Sequence, residues 1–316
     1  MLFHVLLFLV GIVVLYFGAE GLVEGASSVA LEYGIRPVVV GLTVVALGTS
    51  MPEFLVNFFA IFADESTLAL GNIIGSNICN IALILGTSAL ILPLTVTPDV
   101  FRREYPIMFG VMVLFYLTAL DGTIGREDGI FMVILLGIIG AYFFYDTRRN
   151  PAPLPDEDLD SVETTMSPLA QGTSLIGGIV GLALGAHLMV DNARIIAYEM
   201  GISTVVVGIT IVAIGTSLPE MAASMVGAVK GESDLSVGNV MGSNLLNVLF
   251  VVGVTSIISP LQVEPETLRL HFPAMLVFCA LILPVAWTGY RISRVGGSLL
   301  VVGFLGYMTY LVSPYL

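Results

Sequence analysis

The chain alternates long uncharged stretches with short polar breaks. Leu2 to Phe17, Pro106 to Leu120, Ile130 to Tyr145, Pro273 to Thr288 and Val295 to Leu316 hold no Asp, Glu, Lys or Arg. Such runs are too many and too long for buried core helices alone and read as bilayer-spanning helices. The pattern predicts spans over 2–26, 37–62, 68–92, 104–120 and 128–146, then 171–196, 204–229, 235–258, 270–288 and 294–313. The expected fold is therefore an all-α polytopic membrane protein with ten transmembrane helices. The first run has no basic segment before it and no Ala-x-Ala cleavage pattern after it, so it reads as a span and not as a signal peptide.

Composition sharpens this picture. Hydrophobic residues make up 57% of the 316 and charged residues only 11%, against about 25% charged in soluble domains. Part of the net charge of −13 sits in Asp156, Glu157, Asp158, Asp160 and Glu163. They lie in a Pro-rich stretch that reads as a solvated linker. The chain then divides into residues 1–146, a linker over 147–170, and residues 171–316. No basic patch suits nucleic acid, and nothing calls for a cofactor or an obligatory protein partner. Cys79 and Cys279 lie in apolar segments, which supports neither a disulfide framework nor a thiolate metal site. A nucleophile, base and oxyanion arrangement is missing, as is a phosphate-binding loop, so neither a hydrolase nor an ATP-driven pump is expected.

The two parts repeat one another. Gly48-Thr49-Ser50-Met51-Pro52-Glu53 recurs as Gly215-Thr216-Ser217-Leu218-Pro219-Glu220, an offset of 167. The same offset carries Gly71-Asn72-Ile73-Ile74-Gly75-Ser76-Asn77-Ile78-Cys79-Asn80 onto Gly238-Asn239-Val240-Met241-Gly242-Ser243-Asn244-Leu245-Leu246-Asn247, and Gly34, Gly41, Gly86 and Pro93 onto Gly201, Gly208, Gly253 and Pro260. A constant offset with no gap is expected along the whole chain. Five spans per part is an odd number, so the second part enters the membrane in the opposite sense, giving two inverted five-helix repeats. Placing both termini outside puts Arg36, Arg102, Arg103, Arg148, Arg149, Lys230, Arg291 and Arg294 on the cytoplasmic side and leaves Arg126, Arg194 and Arg269 outside. That bias predicts extracellular termini and a cytoplasmic acidic linker in the cell membrane.

Glu53 and Glu220 each fall well inside a predicted span. An ionisable side chain there costs at least about 2.5–3.5 kcal/mol, which makes it a functional candidate. Inverted symmetry would bring both carboxylates to one midplane site. Thr49 lies four residues before Glu53, as Thr216 does before Glu220, so each pair shares a helix face. Pro52 and Pro219 lack an N–H and clash with the carbonyl four residues earlier, which exposes the Gly48 and Gly215 carbonyls. In the following span Ser76 and Asn80, and Ser243 and Asn247, repeat the four-residue spacing. Gly71, Gly75, Gly238 and Gly242 would let these helices approach closely. Oxygen-only ligands suit hard cations such as Ca2+ and Na+. Kink and packing roles are the alternative for each Pro, Gly, Ser and Thr taken singly. Asn72, Asn77, Asn239 and Asn244 read as caps or interhelical bonds before they read as ligands. Glu20, Glu24, His187 and Asp191 read first as snorkelling or interfacial residues, with an ion path as the alternative.

The paired Gly-Thr-Ser-x-Pro-Glu and Gly-Asn-x-x-Gly-Ser-Asn-x-x-Asn segments resemble the alpha repeats of the calcium/cation antiporter superfamily, and the chain is most similar to prokaryotic sodium/calcium exchangers. The resemblance implies exchange of Na+ for Ca2+ by alternating access, with both ions as substrates. A proton/calcium antiporter of the same superfamily is the alternative. It also implies that Glu53 and Glu220 coordinate calcium with oxygens of Thr49 and Thr216. Ser50, Ser76, Ser217 and Ser243 with the carbonyls of Ala46 and Ala213 would form the flanking sodium sites, and Asn80 and Asn247 the middle of the site. Some relatives carry Asp where this chain has Asn247, and Asn on both sides is closer to potassium-independent exchangers.

Overall fold

The computed structural model describes residues 1–62, 66–149, 166–201, 207, 213–287 and 289–313. The five linker acids and Gly208 lie outside these residues, as does the beginning of the predicted span 204–229. The described helices are α1 (Leu2–Tyr33), α2 (Pro37–Thr49), α3 (Met51–Phe62), α4 (Ala69–Ile91), α5 (Tyr105–Thr118), α6 (Arg126–Arg149), α7 (Pro168–Glu199), α8 (Leu218–Val229), α9 (Ser233–Ile258), α10 (Thr267–Ala286) and α11 (Arg294–Val312). Among the described residues seven helices are long and apolar enough to cross a membrane, and the bent pair α2–α3 makes an eighth. The predicted spans 104–120 and 204–229 contain the shorter helices α5 and α8.

Burial sorts these helices into two layers. In the apolar windows of α4 and α9, 78% and 72% of residues are buried, against 22% in α1, α6, α7 and α11. A helix apolar all round must be covered by protein or by lipid. The second motif of each repeat therefore lies on the covered pair, and the outer helices present Leu, Ile, Val and Phe side chains outward.

α1 and α7 pack face to face along their length. A Cβ on Gly18 would lie 2.6 Å from Leu182 N, so only glycine permits this approach. The Met1 amino group pairs with Glu199 at 3.0 Å and His4 with Asn192 at 2.8 Å. Near the other end of the pair, Gln171 donates to Ser28 at 3.2 Å and to Glu32. α1 thus runs past the predicted end at 26 to Tyr33, stopping at Gly34 with φ 60°. Glu20, Glu24 and Glu32 end the hydrophobic run without ending the helix, because Lys230 and Gln171 meet them.

Each part leans on the other. Strand β1 (Leu94–Thr95) pairs antiparallel with β4 (Arg291–Ile292), and β2 (Thr123–Ile124) with β3 (Leu261–Gln262). α11 packs on α4 and α6 on α9. The contacts correspond closely, since a Cβ at Gly297 or at Gly129 would meet the carbonyl of Gly86 or of Gly253 at 2.6 Å in each case. The expected gapless offset fails here. Leu94 and Leu261 are 167 apart, whereas Thr123 and Arg291 are 168 apart. The second part holds one extra residue ahead of its last strand. Val263 N–H donates to the carbonyl of Gly122, φ 89°, whereas Val96 N–H donates to that of Tyr290, φ 53°, so a tyrosine takes the left-handed position. That conformation costs a residue with a Cβ about 1–2 kcal/mol.

Candidate ion site

The site begins with two interrupted helices. α2 and α3 meet at 45°, with Ser50 at φ −85° and ψ 4° outside helical geometry. Ser217 repeats this at φ −88° and ψ 7° before α8. In both cases proline occupies the first turn of the new helix, where its missing N–H costs nothing. Glu53 and Glu220 follow in that same first turn. There the unpaired amides of a helix N-terminus favour negative charge, which offsets part of the cost of burial. Both glutamates are buried, at 1% and 0% exposure.

The two motifs are cross-linked by hydrogen bonds. Ser50 Oγ donates to Glu220 Oε1 at 3.0 Å, and Ser217 Oγ donates to Glu53 Oε1 at 3.4 Å. Each carboxylate is therefore oriented by the serine of the other motif, and Asn57 Nδ2 fixes the Glu53 carbonyl at 2.7 Å. Thr49 Oγ1 donates to Asn239 Oδ1 at 3.2 Å and lies 3.5 Å from Ser243 Oγ. Thr216 Oγ1 reaches Asn72 Oδ1 at 3.5 Å. The Ala46 carbonyl accepts from Ser50 N–H at 2.9 Å and lies 3.4 Å from the Thr49 hydroxyl. Ala213 opens the short helical turn Ala213–Gly215.

α4 and α9 supply the facing wall. α2 crosses α9 with backbone in contact, for a Cβ on Gly238 or Gly242 would lie 2.4 or 2.5 Å from the carbonyls of Val38 or Leu42. The positions that match Val38 and Leu42 at the repeat offset lie outside the described residues. Beside the site both helices loosen into π-helical turns, Cys79–Ile84 and Asn247–Val252, a feature frequent at functional sites. Asn80 donates to Asn244 and Asn247 donates to Asn77, so Asn72, Asn77, Asn239 and Asn244 all serve as interhelical hydrogen bonders. What remains is a set of buried oxygens without a partner among the described residues: Glu53 Oε2, Glu220 Oε2, Asn80 Oδ1, Asn247 Oδ1 and Ser76 Oγ. Buried acceptors left open cost free energy unless something donates to them or coordinates them. Among the described residues no cluster of three or more His, Cys, Asp or Glu stands as a competing metal site, and Cys79 and Cys279 are free and buried.

Residues 3–145 and 172–313 match the family described as sodium/calcium exchanger protein. This chain belongs to that family. Its relatives include the putative antiporter CaxA of Alkalimonas amylolytica, 38% identical over 99% of this chain and 100% of that one. The sodium/calcium exchanger MaX1 of Methanosarcina acetivorans is 29% identical, with 97% of each chain covered. A solved structure of the sodium-calcium exchanger NCX_Mj superposes with a TM-score of 0.82 at 31% identity, covering 98% of both chains. This family member is thus similar to an exchanger over nearly all of its length.

In two polar clusters of this family member the structure pairs charges that the sequence reading leaves unpaired. Arg36, on the link between α1 and α2, bonds Glu104 at 2.8 Å and Asp146 at 2.6 Å, and Arg103 bonds Asp146 at 2.9 Å. Lys230, at the end of α8, bonds Glu24 at 2.5 Å and lies 3.3 Å from Glu20. Their only signal in sequence was charge at the edges of apolar runs. Glu20 and Glu24 are accounted for by Lys230, and His187 pairs with Asp191 at 3.4 Å on an exposed face.

Proposed function

We propose that this chain exchanges Na+ for Ca2+ across the membrane by alternating access at a site built around Glu53 and Glu220. The observation that carries the reading is the set of open oxygens on the two glutamates and on Asn80 and Asn247, buried and matched between the repeats. Oxygen-only ligation with two carboxylates suits Ca2+. Family membership and the likeness to NCX_Mj support the choice of ions. Thr49, Thr216, Ser50, Ser217, Ser76 and Ser243, with the backbone of Ala46 and Ala213, complete the ligand set in this reading.

With both glutamates ionised the empty site carries two negative charges in a low-dielectric surrounding, and reorienting it toward the other side is costly. One Ca2+ cancels that charge, and sodium ions do so stepwise. Ion-loaded forms then cross more readily than the empty form, and countertransport follows. The two halves are read as inverted repeats of five helices, with both termini outside and the acidic linker cytoplasmic. The tightly tied pair α1 and α7 is the natural moving part, sliding against α2, α4, α8 and α9.

The test is radiocalcium uptake into proteoliposomes under imposed sodium, potassium or proton gradients. Uptake driven by outward sodium alone supports the proposal. Uptake driven by protons would assign the chain to proton/calcium antiport, and uptake without any counter-ion would make it a channel.

A further inference from the structure

Four asparagines stand in two crossed pairs on α4 and α9, the helices packed against α3 and α8, which carry the carboxylates. Asn80 Nδ2 donates to Asn244 Oδ1 at 3.0 Å, and Asn247 Nδ2 donates to Asn77 Oδ1 at 3.1 Å. The two ends of an asparagine amide are nearly alike in shape, so hydrogen bonding decides which end faces a site. For a cation the choice matters, since the oxygen attracts it and the NH2 repels it.

The deciding partners lie one shell further out. Asn77 Nδ2 lies 3.7 Å from Met112 Sδ and 3.8 Å from Met275 Sδ, and Asn244 Nδ2 lies 3.9 Å from Met108 Sδ. A thioether sulfur has lone pairs but no proton, so it accepts only from the NH2 end. That holds the Asn77 oxygen toward Asn247 and the Asn244 oxygen toward Asn80. The NH2 groups of Asn247 and Asn80 are engaged in turn, and their oxygens stay open. All four asparagines and all three methionines are at most 1% exposed, so bulk water does not compete. Asn77 and Met108 map onto Asn244 and Met275 at the repeat offset of 167. The relay is therefore present twice.

We infer that Asn77 and Asn244, backed by Met275, Met112 and Met108, are positioning residues that turn the amide oxygens of Asn247 and Asn80 toward the transported cation. The inference rests on the exchange-site reading above and adds how its uncharged ligands are oriented. A methionine core here is a chemical requirement and not merely a filling of space.

Calcium binding to the purified full chain, measured by titration calorimetry, tests it. Asn77→Leu keeps the branched heavy-atom skeleton and removes the acceptor for Asn247. The expected result is a rise in calcium Kd of roughly 10–100-fold, the range for loss of an outer-shell partner. In an Asn247→Asp background residue 247 presents two equivalent oxygens and needs no orienting. There Asn77→Leu should change Kd by less than about threefold, a strong coupling between neighbours. Met275→Leu, which conserves volume, should give a smaller loss that is cancelled in the same way. Equal losses in both backgrounds would show a merely structural role and overturn the inference, as would no loss in either. Glu53→Gln separates the two readings. If it abolishes binding while Asn77→Leu does nothing, only the positioning role falls; if it leaves binding intact, the site itself falls.

Discussion

Gly242 sets the distance between the two motifs, and replacing it with alanine measures that distance. The added Cβ would lie 2.5 Å from the Leu42 carbonyl oxygen, 2.6 Å from Leu42 Cα and 2.7 Å from Ala46 Cβ. Two of these atoms are backbone, so no side chain can swing away to relieve the contact. Ordinary contact begins near 3.4 Å, and α2 must back off from α9 by about 1 Å. Ser243 is the next residue, and Thr49 sits only 3.5 Å from it and 3.2 Å from Asn239. A shift of that size takes both contacts beyond hydrogen-bond range. Overpacking of this kind costs about 1–3 kcal/mol of stability, while an ångström of misplacement at a reacting site costs roughly 100-fold in rate. Gly137→Ala is the control, because a Cβ there meets nothing within 4 Å. Thermal unfolding in detergent and sodium-driven calcium uptake should show a modest drop in Tm and a near-complete loss of flux for Gly242→Ala, with Gly137→Ala unchanged in both. Wild-type uptake by Gly242→Ala would refute the claim that α2–α9 contact sets the ligand geometry.

Other expectations follow from the same contacts. Glu53→Gln and Glu220→Gln should each abolish sodium-driven calcium uptake, since one amide halves the charge facing Ca2+; retained flux in either variant argues against a shared site. Arg36→Met leaves Glu104 buried without its cation, which costs about 3–5 kcal/mol; the drop in Tm should be partly restored by adding Glu104→Gln. Cross-linking α1 to α8 should stop transport while leaving calcium binding intact, and continued transport would rule out sliding of α1 and α7. Lys230→Met removes the ion pairs from α8 to Glu20 and Glu24, so distances between spin labels on α1 and α8 should broaden; an unchanged distribution would mean that the pairs hold nothing in place.

Much of the candidate site's geometry was legible because it is written twice. The repeated Gly-Thr-Ser-x-Pro-Glu pattern located Ser50 and Ser217 at helix breaks, and the crossed serine–glutamate bonds follow from bringing two such breaks together. The roles of Asn77 and Asn244 were only half legible. Their type pointed to interhelical bonds, but which methionine faces them depends on α5 and α10 packing, which no local pattern encodes. Helix ends were misread where charge and helix propensity disagree. α1 continues past Glu24 because its acids Glu24 and Glu32 find Lys230 and Gln171, residues 206 and 139 positions away. The extra residue ahead of Tyr290 was hidden because the motifs that set the offset all lie before it.

The exchange of final helices between the halves bears on how the chain is made. While α4 is inserted its Gly86 face has nothing to meet, because Gly297 is synthesised more than 200 residues later. Lipid or a membrane chaperone has to shelter that face until α11 arrives. A product that stops short of residue 294 would leave the groove on α4 exposed and invite proteolysis by membrane quality control. Two half-length polypeptides cut at the linker should be degraded when made singly and survive when made together.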